Sequence, residues 1–280
     1  MKRIILTANG SKPPIAAAVA ELLPWLRERV EVAALDLALN RPLDDVQADF
    51  AVILGGDGAI LSTARRLGQN QIPCIGVNLG KLGFLAELSP AEFRRHFDDL
   101  VAGRYRISTR SMLSCVLWRD ERAVAEHQGL NDVVVSRGAL SRLVTFGLFV
   151  DGRRATTYNG DGVIVSTPTG STAHSLAAGG PVLEPDLEAV VVTPICPHTL
   201  TNRPVVLPAA VQIELLAERA PVAVGLTVDG QVYEDLAEGD RVVIRPALKS
   251  FQLINLGLRT YYDTLREKLH WGGSTSYEHR

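Results

Sequence analysis

The chain has 280 residues, 46% of them hydrophobic and 21% charged, with a formal net charge of −2 and an isoelectric point near 6.3. That length holds one large domain or two modest ones, and either can bury a sizeable core. The near-neutral balance argues against coating nucleic acid or an anionic membrane, so any phosphate binding has to be local.

Residues 3–6 read as a short core strand, followed by a Gly/Ser/Pro loop. Residues 15–29 have helical spacing, with Pro14 near the start and Pro24 as a kink. Residues 31–35 and 50–54 continue a β-α-β rhythm, and the second run ends in Gly55-Gly56-Asp57-Gly58. A helix over 59–67 is closed by Gly68, and a strand over 73–77 ends in Asn78-Leu79-Gly80-Lys81-Leu82-Gly83-Phe84. Ser89-Pro90-Ala91-Glu92 is a capping box opening a helix that stops at Gly103. Strands alternating with helices predict a parallel sheet with helical layers through about residue 107.

The rhythm then changes. From 111 to 246 the periodic segments are short, β-branched and bounded by turns, as at 113–117, 133–135, 144–150, 190–193, 222–228 and 242–244. Asp151-Gly152 between two such runs is a hairpin signal. This predicts a mostly β second domain holding one helical element, 171–178. Residues 261–269 look helical again, and the tail after Trp271 has nothing to bury. Cys74, Cys115 and Cys196 lie far apart without disulfide or zinc spacing and read as buried thiols in a reducing compartment. The apolar run at the start is too short for a signal peptide and no stretch has transmembrane length, which predicts a cytoplasmic protein.

Two stretches carry chemistry. In 49–61, a fully apolar strand delivers Asp57 on a glycine turn at its carboxyl end, where open α/β sheets bind ligands. In 161–185, a strand over 163–165 runs into Ser166-Thr167-Pro168-Thr169-Gly170, with Ser171 and Thr172 as N-cap residues and Gly179-Gly180-Pro181 as a stop. Such a turn gathers backbone N–H groups and hydroxyls at one point and suits phosphate. Gly55, Gly56, Thr167, Thr169, Gly170 and Ser171 are therefore the candidate phosphate loops. The competing reading is a Ser/Thr-rich crossover loop, with Asp57 an ordinary turn aspartate bracing its glycines. There is no Walker A or G-x-G-x-x-G sequence, and no HExxH, GxSxG or Cys/His metal cluster.

GGDG at 55–58, LNDVVVSRG at 130–138, the 161–181 stretch and TPICPHTLTNRPVVLP at 193–208 resemble the NAD kinase family, in the family's order. The resemblance spans about Ile4 to Trp271 and implies a fold and an activity. The fold is α/β: a parallel-sheet domain over 1–107 plus about 256–280, and a mostly β substrate domain over 108–255, the C-terminal segment returning to the first. The activity is transfer of the terminal phosphate of ATP, or of a donor such as polyphosphate, to the 2′-hydroxyl of the adenosine ribose of NAD, giving NADP.

Carried over residue by residue, Asp57 is the base toward that hydroxyl, with Gly58 beside it. Asn131 and Asp132 contact the adenosine, although the family usually has Asn-Glu there. Asp161 contacts the nicotinamide end, and Thr172, Ala173, His174, Ser175, Leu176 and Ala177 line the substrate, with His174 where Tyr is usual. Arg142, Asn159 and Gln231 fall at further positions near substrate. A divalent cation, Mg²⁺, is expected to be held mainly by the nucleotide phosphates. The family's habit and the exposed strands of the β domain imply a homodimer or homotetramer, without nucleic-acid or membrane partners. Two rivals remain at this point: a lipid or sugar kinase built on the same GGDG fold, and a non-catalytic dinucleotide sensor, which need not keep Asp57.

Overall fold

Two runs in the first third are apolar at every position, and both become central strands buried on each face, as a parallel sheet demands. They are β3 (Phe50–Leu54) and β4 (Cys74–Val77), preceded by β1 (Arg3–Ala8) and β2 (Glu31–Asp36). A computed structural model describes residues 1–80, 83–138, 143–199, 201–220 and 223–271. Helix α1 (Pro13–Arg27) follows β1 and buries Ile15, Val19, Leu22 and Leu26, one stripe at helical spacing. Its prolines at the start occupy positions whose N–H groups have no helical partner, while Pro24 lies inside the helix, which runs on past it. α2 (Asp57–Leu67) leaves the GGDG turn, and its N-cap is Gly56. The helix expected from the Ser89 capping box is two short helices, α3 (Pro90–Arg95) and α4 (Phe97–Val101), broken where His96 leaves helical geometry at φ −101°, ψ 11°. The capping box itself is present, with Ser89 Oγ accepting from the Glu92 N–H and the Glu92 carboxylate accepting from the Ser89 N–H. Strand β5 (Arg106–Arg110) follows.

The next twelve strands are β6 (Leu113–Arg119), β7 (Arg122–Gly129), β8 (Asp132–Arg137), β9 (Val144–Val150), β10 (Arg153–Gly160), β11 (Gly162–Ser166), β12 (Ala189–Ile195), β13 (Val205–Pro208), β14 (Ile213–Arg219), β15 (Val224–Val228), β16 (Val232–Leu236) and β17 (Arg241–Pro246). They form two six-stranded antiparallel sheets, ordered β10-β9-β14-β17-β6-β7 and β13-β12-β11-β8-β15-β16. Alternate residues of β6 and β14 point inward, so Cys115, Leu117 and Leu215 share one core with Val133, Val135, Val163 and Val165 of the facing sheet. The β9–β10 hairpin turns on Asp151 and Gly152 at φ 48° and 75°, the two positive values a tight primed turn needs.

The single helix expected over 171–178 is not there. Thr169–Thr172 makes one 3₁₀ turn, the chain breaks at Ala173 (φ −100°, ψ −125°), and α5 (His174–Ala177) is a single α turn. The cause is Ser171, which does not cap a helix: its Oγ donates to the Pro168 carbonyl at 2.6 Å and accepts the Leu183 N–H at 2.9 Å. Cys74 and Cys115 are buried as expected, but Cys196 is exposed, because it sits at φ 43° in the turn just past β12.

The chain then returns. β18 (Phe251–Asn255) inserts between β4 and β5, parallel to the first and antiparallel to the second, giving the order β2-β1-β3-β4-β18-β5. The fold is thus an α/β domain with a mainly parallel sheet and an antiparallel β domain, the C-terminal segment belonging to the first. α6 (Tyr261–Leu269) opens on a capping box between Thr260 and Asp263. Arg259 donates to the Glu87 carbonyl at 3.2 Å and Tyr261 to the Leu183 carbonyl at 3.1 Å, so this segment is tied to both domains.

Candidate active site

The glycine turn is shaped for close approach. Gly55 lies at φ +151°, and a Cβ there would stand 2.9 Å from that of Ala59. Asp57 therefore becomes the first residue of α2. Its Oδ2 accepts the Phe84 N–H at 2.8 Å, and its Oδ1 accepts those of Leu85 and Ala86 at 3.0 and 3.1 Å. The structural role expected of Asp57 was to brace its own glycines; what it braces is the segment 27 to 29 residues downstream. Gly83 makes this possible, since a Cβ at that position would lie 2.0 Å from Asp57 Oδ1. A carboxylate offers about four lone-pair directions, so three donors leave one, on Oδ2.

A second cluster gathers the 130–132 turn, the loop after β11 and the turn between β15 and β16. Asp229, fully buried at its carboxylate, accepts the N–H groups of Leu130 (3.1 Å), Asn131 (2.7 Å) and Asp132 (3.2 Å). Arg65 of α2 donates to the same carboxylate at 3.1 Å and, through its other nitrogen, to Gln231 Oε1 at 2.6 Å. Gln231 Nε2 in turn donates to the Gly58 carbonyl at 2.8 Å. Burial pushes the Asp132 carboxyl up to about 7, with the neighbouring Asp229 charge adding to it. Burial also raises Asp229, opposed by the three backbone donors and by Arg65.

The hydroxyls of the loop after β11 turn inward. Thr167 Oγ1 donates to the Leu130 carbonyl at 2.7 Å and accepts the Gly170 N–H at 3.0 Å, and Ser175 Oγ pairs with Thr193 Oγ1 at 2.9 Å. Thr172 Oγ1 donates to the Thr169 carbonyl at 3.3 Å, while Thr169 Oγ1 is buried without a hydrogen-bond partner. Thr167 thus ties the loop to the 130–131 turn, where the Asn131 carbonyl leaves no room for a Cβ on Gly170 (2.1 Å). Of the segment 172–177, Ser175 is buried, Thr172, Ala173 and Leu176 are half-buried, and His174 and Ala177 are exposed.

Asp161 and Asn159 lie elsewhere. Arg137 donates twice to the Asp161 carboxylate, at 2.7 and 3.2 Å, and this hydrogen bonding holds the group below its usual range. Asn159 accepts from Thr145 Oγ1 at 2.8 Å, and its carbonyl accepts the His198 N–H at 2.9 Å. Asn159 is the penultimate residue of β10 and Asp161 immediately precedes β11, whereas Thr167 lies just past the end of β11, about 20 Å from Asp161 at the rise of a strand. The structure thus brings Asp57, Gly58, Asn131, Asp132, Thr167, Gly170 and Gln231 into one connected network and leaves Asn159 and Asp161 at the far end of β11. Arg142 lies outside the described residues.

Sequence reasoning missed Arg65, Asp229 and the amides of 84–86. Arg65 carried a signal: it follows Gly58 by seven residues, about two turns, and so shares its face of α2. Asp229 reads in sequence only as the first residue of an Asp-Gly turn.

A carboxylate with one open acceptor direction, set at the first turn of a helix where an α/β domain meets a β domain, suits the proton transfer that a phosphotransferase requires. The family model described as the ATP-NAD kinase N-terminal domain matches residues 26–105, and that of the C-terminal domain matches 130–256. Among curated relatives, the NAD kinases of Geobacter sulfurreducens and Geobacter metallireducens are 41% and 42% identical, each alignment covering 97% of this chain and 99% of the relative. The crystal structure of yeast NADH kinase complexed with NADH superposes with a TM-score of 0.90 at 27% identity, covering 100% of this chain and 90% of that one. The NAD kinase from Archaeoglobus fulgidus, solved in complex with ATP, gives a TM-score of 0.76 at 27% identity over 96% of this chain and 98% of that one. The chain belongs to the NAD kinase family.

No group of three or more His, Cys, Asp or Glu side chains that could hold a metal ion occurs among the described residues. No helix there is long and apolar enough to cross a membrane.

Proposed function

We propose that this protein transfers the terminal phosphate of ATP to the 2′-hydroxyl of the adenosine ribose of NAD, and that Asp57 takes the hydroxyl proton. The observation that carries the assignment is the acceptor direction left on Asp57 Oδ2 after its three backbone bonds. The 2′ oxygen attacks the terminal phosphorus as its proton passes to Asp57, the bond from that phosphorus to the bridging oxygen breaks, and ADP leaves. The backbone held by Phe84, Leu85 and Ala86 fixes the carboxylate, so no reorganisation is needed when the proton arrives.

The donor phosphates lie at the N-terminal turn of α2, against Gly55 and Gly56, where the helix dipole favours anions. Asn131 and Asp132 hold the adenosine, residues 172–177 line the dinucleotide, and Asp161 with Asn159 receives its nicotinamide end. Mg²⁺ would be held mainly through the donor phosphates and water, as that ion prefers, and the Asp229 carboxylate, saturated by its four donors, is not open to it. When bound, it neutralises charge on the donor phosphates. We further place the protein in the cytoplasm, as a homodimer or homotetramer, a reading supported by the apolar strand edge at Val205 and Val206, 36% and 47% exposed. The functional divide follows the sheets, with 1–110 and 251–271 forming the base-bearing unit, a few residues from the limits expected at 107 and 256.

The test is NADP formation from NAD, ATP and Mg²⁺, followed by coupling to an NADP-specific dehydrogenase. NADH belongs in the same assay, since the yeast relative is a NADH kinase complexed with NADH. Phosphorylation of a lipid or sugar, with NAD untouched, would reassign the site.

A further inference from the structure

The proposed reaction draws its parts from two domains: the base on α2, and the adenosine contacts on the turn before β8. Something has to set the distance between them. Asp229 is a saturated acceptor, for its four lone-pair directions meet the N–H groups of Leu130, Asn131 and Asp132 and one nitrogen of Arg65. The Gln231 amide is spent at both ends, on Arg65 and on the Gly58 carbonyl. The Arg65 side chain is 15% exposed and the Asp229 carboxylate 0%.

We infer that Arg65, Asp229 and Gln231 form a clamp that sets Asp57 against the 130–132 turn, acting as positioning residues without touching substrate. The inference rests on the function proposed above and revises the expectation that Gln231 contacts NAD. The geometry explains the residue types. Apart from a 3.4 Å bond from Arg65 to the Leu61 carbonyl of its own helix, the bonds end on main-chain groups of the two functional turns: Gly58 on one side and Leu130 to Asp132 on the other. Arg65 uses two separate nitrogens in a fixed fork to reach a carboxylate and an amide at once, a geometry that the compact ammonium of lysine does not reproduce. Asp229 needs two oxygens to hold three amides and a cation. A displacement of about 1 Å at a reacting centre costs about 10²-fold in rate, so a clamp remote from the chemistry can govern turnover.

The experiment uses three variants of the full chain: Gln231→Ala, which leaves the Arg65–Asp229 ion pair in place, Arg65→Lys, and both together. Steady-state kinetics, thermal midpoints and amide hydrogen exchange are measured on each. The clamp predicts folded single variants whose kcat falls by about 10- to 10²-fold, with KM for NAD changing far less. It also predicts a double variant no slower than the slower single, because both changes open one circuit. Amides of 130–132 should exchange faster in Arg65→Lys and in the double variant, where Asp229 loses its guanidinium partner. Unchanged kcat, a rise confined to the KM for NAD, or losses that multiply would each overturn it. Should Arg65→Lys fail to fold, Gln231→Ala alone decides. Should the parent protein form no NADP, the functional reading fails, and hydrogen exchange still judges the clamp: exchange at 130–132 unchanged in the double variant would refute it.

Discussion

Replacing Asp57 with asparagine separates the two things the structure asks of this residue. The amide oxygen can keep the Leu85 and Ala86 N–H groups, now held at 3.0 and 3.1 Å, but the new NH₂ then faces the Phe84 N–H at 2.8 Å, donor against donor. A donor left unsatisfied costs about 1–3 kcal/mol when buried, and Phe84 is half-buried, so the lower half of that range applies. For a chain of this size the thermal midpoint should fall by a few degrees, about 2–4 °C per kcal/mol. The chemical loss is larger. Asparagine cannot take the ribose proton, and losing a general base costs about 10²–10⁴ in turnover, or 3–5 kcal/mol of barrier. NAD affinity should change much less, because the binding contacts remain. Turnover, NAD affinity by titration calorimetry and thermal midpoint, all on one preparation of Asp57→Asn, test this together. Near-parental turnover in the folded variant would refute the base assignment and leave Asp57 as a brace for residues 84–86.

Stability should carry the mark of Asp132. An aspartate ionises near pH 4 in the unfolded chain, whereas the folded carboxyl, buried and near the Asp229 charge, keeps its proton to about pH 7. The folded state therefore binds the extra proton between those values, so this contribution to stability falls as pH rises from about 4 to about 7 and is least favourable above. Asp132→Asn should accordingly stabilise the fold relative to the parent at pH 8, by at most a few kcal/mol and read as a raised thermal midpoint, and change it little near pH 4; an equal shift at both would contradict the argument. Asp161→Ala should weaken NAD binding far more than it slows turnover at saturation, since it leaves Asp57 in place, and unchanged NAD affinity would reject that contact. Light scattering at micromolar concentration should give a multiple of the 30.3 kDa chain mass, and a single-chain mass would oppose the proposed assembly.

Local grammar made much of this fold legible. The uninterrupted apolar runs of β3 and β4, the Asp151-Gly152 hairpin and the Ser89 capping box each state their structure within a few residues. A strand such as β7 hides, because it is a sheet edge with no buried residue before Gly129 and no apolar alternation. The site was half legible for a related reason. Asp57 announces itself on its glycines, but its hydrogen-bond donors lie 27 to 29 residues on, and Asp229 meets Asn131 across 98 residues. Ser171 shows the opposite error: residue type suited a helix N-cap, and a tertiary bond to Leu183 took it instead. Sequence named the chemistry-bearing turns, while the contacts that hold them in place were set by the sheet order.

The central claim is that phosphate passes to one oxygen of NAD beside Asp57, and the position of that phosphate on the product tests it most directly. Phosphorus NMR of the product formed from NAD, ATP and Mg²⁺ should show one new phosphomonoester coupled to the 2′ proton of the adenosine ribose, formed by the parent and about 10²–10⁴ times more slowly by Asp57→Asn. A phosphomonoester at any other position, or equal formation by both proteins, would contradict the account.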